Sequence, residues 1–117
     1  MILVTGPLWI RKGYRSIGVV TRELAMEAEN EALMTLYTPG STAEPAKDLL
    51  ETLLRKPITV HVIVNGWSKQ PEHLKRTLLD LKRKTPLRLR IHNFKTRKGC
   101  ILHAKVFAID GRKAVVG

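Results

Sequence analysis

The stretch Ile58-Thr59-Val60-His61-Val62-Ile63-Val64 constrains the fold more than any other part of the chain. It is nearly all β-branched, and such side chains are stiff at χ1 and suit a pleated surface better than a helix. A mostly apolar run of this length reads as a strand covered on both faces. The period changes on either side of it. Upstream, Ala46, Leu49, Leu50, Leu53 and Leu54 recur at i, i+3, i+4, i+7 and i+8, which predicts a helix from about Pro45 that ends at Pro57. Downstream, Asn65-Gly66 breaks the strand. A basic helix then runs from about Pro71 to Lys84, with Leu74, Leu78 and Leu81 inward and Thr85-Pro86 as its stop. A strand between two one-sided helices is half of a layered α/β domain.

The remaining segments extend the alternation. Met1 to Ile10 reads as a buried strand; with no basic lead and a stop at Arg11-Lys12, it does not resemble a signal peptide. Ser16 to Ala32 reads as a helix with Ile17, Val20, Leu24, Ala28 and Ala32 along one side and Glu23, Glu27 and Glu31 on another. Leu33 to Thr38 is a short strand closed by Pro39-Gly40. Leu87-Arg88-Leu89-Arg90-Ile91-His92 alternates strictly, which predicts one apolar face and one row of positive charge. Cys100 to Ile109 is a further apolar strand, and Asp110-Gly111-Arg112-Lys113 turns it back into Ala114 to Gly117. The predicted order is β-α-β-α-β-α-β-β in a single domain spanning residues 1–117. It stops on Gly117 at the end of a strand, so a C-terminally truncated domain is expected.

Charge separates the two halves. Residues 1–64 carry seven Lys/Arg and seven Asp/Glu, whereas residues 65–117 carry fourteen Lys/Arg against Glu72, Asp80 and Asp110, so the second half holds the whole net charge of +11. Such a field concentrates polyanions, or it does no more than keep the chain in solution. With 44% hydrophobic residues the chain is not a disordered tail, and with Cys100 as its only cysteine it is not a disulfide scaffold. A lone thiol fits a reducing compartment, most simply the cytoplasm. No apolar run reaches bilayer length. The cysteine and histidine spacing makes no zinc pattern, and the segment Gly6 to Gly13 lacks the second Gly and the Ser or Thr of a phosphate loop.

The chemistry concentrates in His103-Ala104-Lys105-Val106-Phe107-Ala108-Ile109-Asp110. Alternation along a strand puts His103 and Lys105 on one face, about 7 Å apart. Polar groups among apolar neighbours cost desolvation energy unless a ligand rewards them. A phosphate does so: a neutral His attacks phosphorus or takes a proton, and Lys⁺ stabilises charge on the phosphoryl oxygens. The bland alternative is a buried His satisfied by backbone and a Lys reaching from the sheet edge. Asp110 has the opposite parity and lies at the strand end, where it braces the turn or supports the site from behind rather than touching substrate.

His103-x-Lys105-x4-Asp110 followed by Gly117 resembles the signature of the phospholipase D superfamily, the HKD motif. The similarity extends to the order of helices and strands upstream and so covers most of the chain. Three fixed residues match by accident on the order of once in a hundred chains of this length. The resemblance implies a phospholipase D-like mixed β-sheet flanked by helices, incomplete at the C-terminus. It also implies a phosphodiesterase that uses no metal and no other cofactor. His103 is then the nucleophile, through a phosphohistidine; Lys105 grips the phosphate, and Asp110 completes the catalytic triplet. A second motif supplies the general acid, so a single-motif chain implies a homodimer. The family's Ser and Asn after the Gly have no counterpart before the chain ends. Independently, a two-metal nuclease needs clustered carboxylates, and the basic half has three that are widely spread.

Nucleic acid is the substrate that the charge favours, and Arg88, Arg90, Lys95, Arg97 and Lys98 are the candidate phosphate contacts. Each of these is equally well read as a solvated strand face or loop. Few aromatics argue against base stacking as the grip. The competing functions are a binding module without turnover and a phospholipase acting on headgroups; no aromatic-rich amphipathic segment favours the latter. His61 is expected to be a core histidine, His73 a surface one, and Cys100 a packing residue.

Overall fold

A computed structural model describes residues 3–4, 15–36, 43–95 and 106–116. The elements are β1 (Leu3–Val4), β2 (Arg15–Ser16), α1 (Ile17–Glu27), β3 (Glu31–Leu36), α2 (Ala43–Leu54), β4 (Thr59–Asn65), α3 (Glu72–Lys84), β5 (Leu89–Phe94), β6 (Val106–Ile109) and β7 (Lys113–Val116). The class is mixed α/β. A five-stranded sheet has the order β5-β4-β3-β6-β7, in which β3, β4 and β5 are parallel and β6 and β7 antiparallel to their neighbours. Of the predicted opening strand, the described residues are Leu3–Val4, which pair parallel to Arg15–Ser16 in a ladder separate from the main sheet; the rest of Met1 to Ile10 lies outside the described residues.

Both crossovers, β3-α2-β4 and β4-α3-β5, step the same way across the sheet, so connections of one hand put both helices on one face. Burial follows. Val60, Val62, Val64, Leu89, Ala32, Met34, Phe107, Ile109 and Val115 form one core with Val20 and Leu24 of α1, Leu50 and Leu53 of α2, and Leu74 and Leu78 of α3. The alternate residues of every strand of this sheet lie on the second face, and none of those described is buried. The reading of β4 as covered on both faces is therefore corrected: its burial alternates residue by residue. β-Branched residues are selected by the pleat itself as well as by burial, so composition overstated the covering.

Two boundaries also move. α1 ends at Glu27 rather than Ala32, and β3 starts at Glu31. No Gly or Pro marks that stop; it is made by distant groups. The Lys56 ammonium donates to the carbonyls of Ala25 and Met26 at 3.1 and 2.7 Å, satisfying helix-end acceptors, and the next amides turn away to Asp110. Residues 86–88 are a turn and not the start of a strand, because the Arg88 and Leu89 amides donate to the Thr85 carbonyl and the Lys82 ammonium to the carbonyls of Pro86 and Leu89. Leu87, expected on the apolar face, is 83% exposed. Lys82 is half-buried in capping this turn.

The β6–β7 turn places Asp110 and Gly111 at φ 52° and 63°, and the Arg112 amide donates to the Ile109 carbonyl at 3.0 Å. Asp-Gly suits a turn with positive φ at both central residues. Because nothing lies near a Cβ built on Gly111, Gly111→Ala should cost only the backbone penalty, about 1 kcal/mol, in urea unfolding. Leu78 is fully buried and Leu79, its neighbour, is 49% exposed. Leu78→Ala should cost about 3 kcal/mol and Leu79→Ala less than about 0.5 in the same measurement.

Candidate functional site

Open parallel sheets bind ligands outside the carboxyl ends of their strands, and three strands of this sheet, β3, β4 and β5, finish together at one end. β6 runs against them, with Met34 beside Phe107, and the Val106 amide donates to the Thr35 hydroxyl at 2.9 Å. The chain thus enters β6 at the end where β3 to β5 stop. Val106 is the residue immediately after Lys105. His103 and Lys105 themselves lie outside the described residues, as do Arg97, Lys98, Cys100 and Gly117.

The ends of β4 and β5 are tied together there. Gly66, at φ 66° in the left-handed region that favours glycine, donates its amide to the Phe94 carbonyl at 3.0 Å. The Trp67 amide donates to Asn93 Oδ1 at 2.8 Å. Gln70, 7% exposed, donates from Nε2 to the Asn65 carbonyl, and its Oε1 is buried with no partner. Two aromatic residues, Trp67 and Phe94, therefore sit at the carboxyl edge despite the low aromatic content, and Lys95 follows them, exposed.

Asp110 lies at the opposite end of β6. Its Oδ1 accepts from the amides of Asn30 and Glu31 at 2.8 and 2.9 Å, and its Oδ2 from Glu29 at 3.0 Å; its own amide donates to the Glu31 carbonyl at 2.9 Å. These bonds, that from Glu31 foremost, then Glu29 and Asn30, hold the carboxyl below its usual range, helped by Lys56 and opposed by partial burial. The acceptor capacity of Asp110 is spent on the α1–β3 junction. A cavity of about 530 Å³ opens beside it, lined by Glu27, Lys56, Ile109, Arg112 and Lys113. Its charges are largely matched within the protein: Lys113 bonds Glu27 at 2.7 Å, and Lys56 caps α1. This cavity lies at the far end of the sheet from Val106, and it reads as a seam between α1 and the β6–β7 turn.

The five candidate phosphate contacts separate. The Arg88 guanidinium donates to the Lys56 carbonyl and braces the loop before β4. Arg90 and Lys95 are exposed, Arg90 on the second face of β5. Of the basic residues on α3, Lys75 pairs with Glu72 at 3.0 Å and Arg83 with Asp80 at 3.3 Å.

One pairing was hidden from the sequence. His61 is no core histidine: it lies half-buried on the second face of β4, and its Nδ1 stands 3.1 Å from Nε2 of His92 on β5. The ring centroids are 5.3 Å apart and the planes 19° apart. That separation is close to the greatest a 3.1 Å N···N contact allows, so the rings meet edge to edge and nearly coplanar rather than face to face. One ring donates and the other accepts; two imidazoliums cannot make this bond. The signal was present as two histidines on strands, but only the parallel register makes them neighbours.

No protein-family model matches the chain, and no curated protein matches it. Among the described residues, no group of three or more His, Cys, Asp or Glu is placed to hold a metal ion, and no helix is long and apolar enough to cross a membrane.

A carboxylate held below its usual range stabilises the fold above that range and loses its contribution as the pH falls through its folded-state value. Asp110→Ala should therefore lower the Tm at pH 7, and its gap from the parent chain should close as the pH falls below about 4. Thermal melts across pH 2.5 to 7 check this.

Proposed function

We propose that this chain is a phospholipase D-type phosphodiesterase domain acting on nucleic acid. The observation that carries the reading is the direction of β6: the strand that follows His103-x-Lys105 enters the sheet at the carboxyl ends of β3, β4 and β5, where an α/β sheet takes its ligands. The one-sided charge of the second half supplies the attraction for a polyanion.

In this reading a nitrogen of the neutral His103 imidazole attacks phosphorus and the P–O bond to the leaving group breaks. The departing oxygen takes a proton from the general acid, the equivalent His103 of a second copy. Water then attacks the phosphohistidine, giving its proton to that second His103; the P–N bond breaks, the phosphate ester leaves and both histidines are restored. Lys105 neutralises charge on the phosphoryl oxygens. The role of Asp110 is positional: by bonding residues 29–31 it fixes the far end of β6 and so the register of that strand against β3.

Cleavage of labelled DNA and RNA in excess EDTA at low salt tests the proposal. The parent chain should cleave, and His103→Ala and Lys105→Ala should each reduce the rate by at least roughly a hundredfold while leaving the melting temperature in place. Cleavage that needs added metal, or that survives His103→Ala, would overturn it. Salt-sensitive binding that is indifferent to His103 and comes without cleavage would instead indicate a binding module.

A further inference from the structure

The second face of the sheet has an uneven chemistry. On its β6–β7 side are Val106, Ala108, Ala114 and Val116. On its β4–β5 side the register sets His61 beside Arg90, Ile63 beside His92, and Asn65 beside Phe94. Arg90 and His92 are exposed and His61 and Phe94 half-buried. Along β5 the residues Arg90, His92 and Phe94 therefore form one row that ends at the carboxyl edge, with exposed Lys95 next in the chain.

We propose that this row, with His61, is a platform for single-stranded nucleic acid, leading the strand toward the edge where β6 begins. The assignment to a nuclease substrate rests on the function proposed above; the binding itself does not. Three observations carry it. The groups are those that take a base or a phosphate: a guanidinium, an aromatic ring and two imidazoles, which present flat surfaces and positive charge together. His61 and His92 are nearly coplanar and joined edge to edge, so they make one flat surface larger than either ring. Spacing decides strandedness. Alternate residues of a strand stand about 7 Å apart, about twice the 3.4 Å between successive phosphates along the axis of a duplex strand. Bases can match that row one to one only in a chain that has left the stack, which a single strand does at low cost and a duplex does not. The acidic residue on this face among those described, Glu31, lies at the start of β3, two strands away from β5.

Fluorescence anisotropy with a labelled oligothymidylate of about 12 nucleotides and a duplex of the same length, in EDTA and at two salt concentrations, tests the platform. The single strand should bind at least about tenfold tighter than the duplex, and Arg90→Glu and His92→Ala should each weaken it roughly tenfold. Arg83→Glu, on the outer face of α3, makes the same charge change away from the platform and should alter binding less than about twofold. Because Phe94 is half-buried, Phe94→Ala is interpreted only with an unchanged melting curve, and the exposed Arg90 and His92 carry the decision. Equal affinity for duplex and single strand, or Arg90→Glu and His92→Ala binding like the parent, overturns the proposal. So does sedimentation showing a dimer of the free chain that Arg90→Glu dissociates, since the face then belongs to a second copy. Platform loss with cleavage by the parent chain intact leaves the phosphodiesterase reading standing. Single-strand binding that these variants weaken, without cleavage by the parent chain, does the reverse.

Discussion

The rest of this structure depends on one constraint: the two crossovers from β3 through β4 to β5 move in the same direction. Connections of one hand must then stack their helices on the same side. The apolar stripes of α1, α2 and α3 all converge on that face, and one core results. The second face is left to alternate residues that composition alone gives no reason to separate from the core. Its mixture of aliphatic, aromatic and basic side chains follows from strand alternation acting on sequences that must bury only every second residue.

The division of labour between the two ends of β6 follows from the same geometry. At one end, the Val106 amide bonds Thr35 near the carboxyl end of β3; at the other, Asp110 is bound by three amides of the α1–β3 junction. A carboxylate with all its bonds committed to backbone serves as a rivet, and the adjacent seam is held in the same way by Lys56 and Lys113. Charged side chains there are held by ion pairs and by bonds to helix and turn termini. On the second face of β5 and just beyond the strand, Arg90 and Lys95 are exposed.

The elements were legible wherever their period was local. The stripe of Leu74, Leu78 and Leu81 predicts α3 to within a residue, and Asn65-Gly66 marks the end of β4 because the chain there needs a left-handed residue. The end of α1 was not legible, because its stop is Asp110, 79 to 81 residues away from the amides it binds. The covering of β4 was misread for a different reason: β-branched residues report a fit to the pleat and do not say how many layers lie over it. At the candidate site, the spacing of His103, Lys105 and Asp110 could be read directly. Arg88, a candidate phosphate contact in the sequence, is a brace in the structure, and the meeting of His61 with His92 required the register of two parallel strands.

The place of β6 also sets an order of assembly. The parallel block β3–β4–β5 is built from neighbours in the chain, whereas β6 must find β3 across an interval of more than 70 residues. Contacts of such separation are slow to form, and a chain leaving the ribosome presents β3 long before β6 exists. During that interval the flank of β3 that β6 will occupy is an open edge with unpaired amides and carbonyls, the feature through which partly folded chains pair with one another. The strand that follows His103 and Lys105 is thus also the piece that covers this flank of β3, and with it the sheet's edge moves outward to the short strand β7.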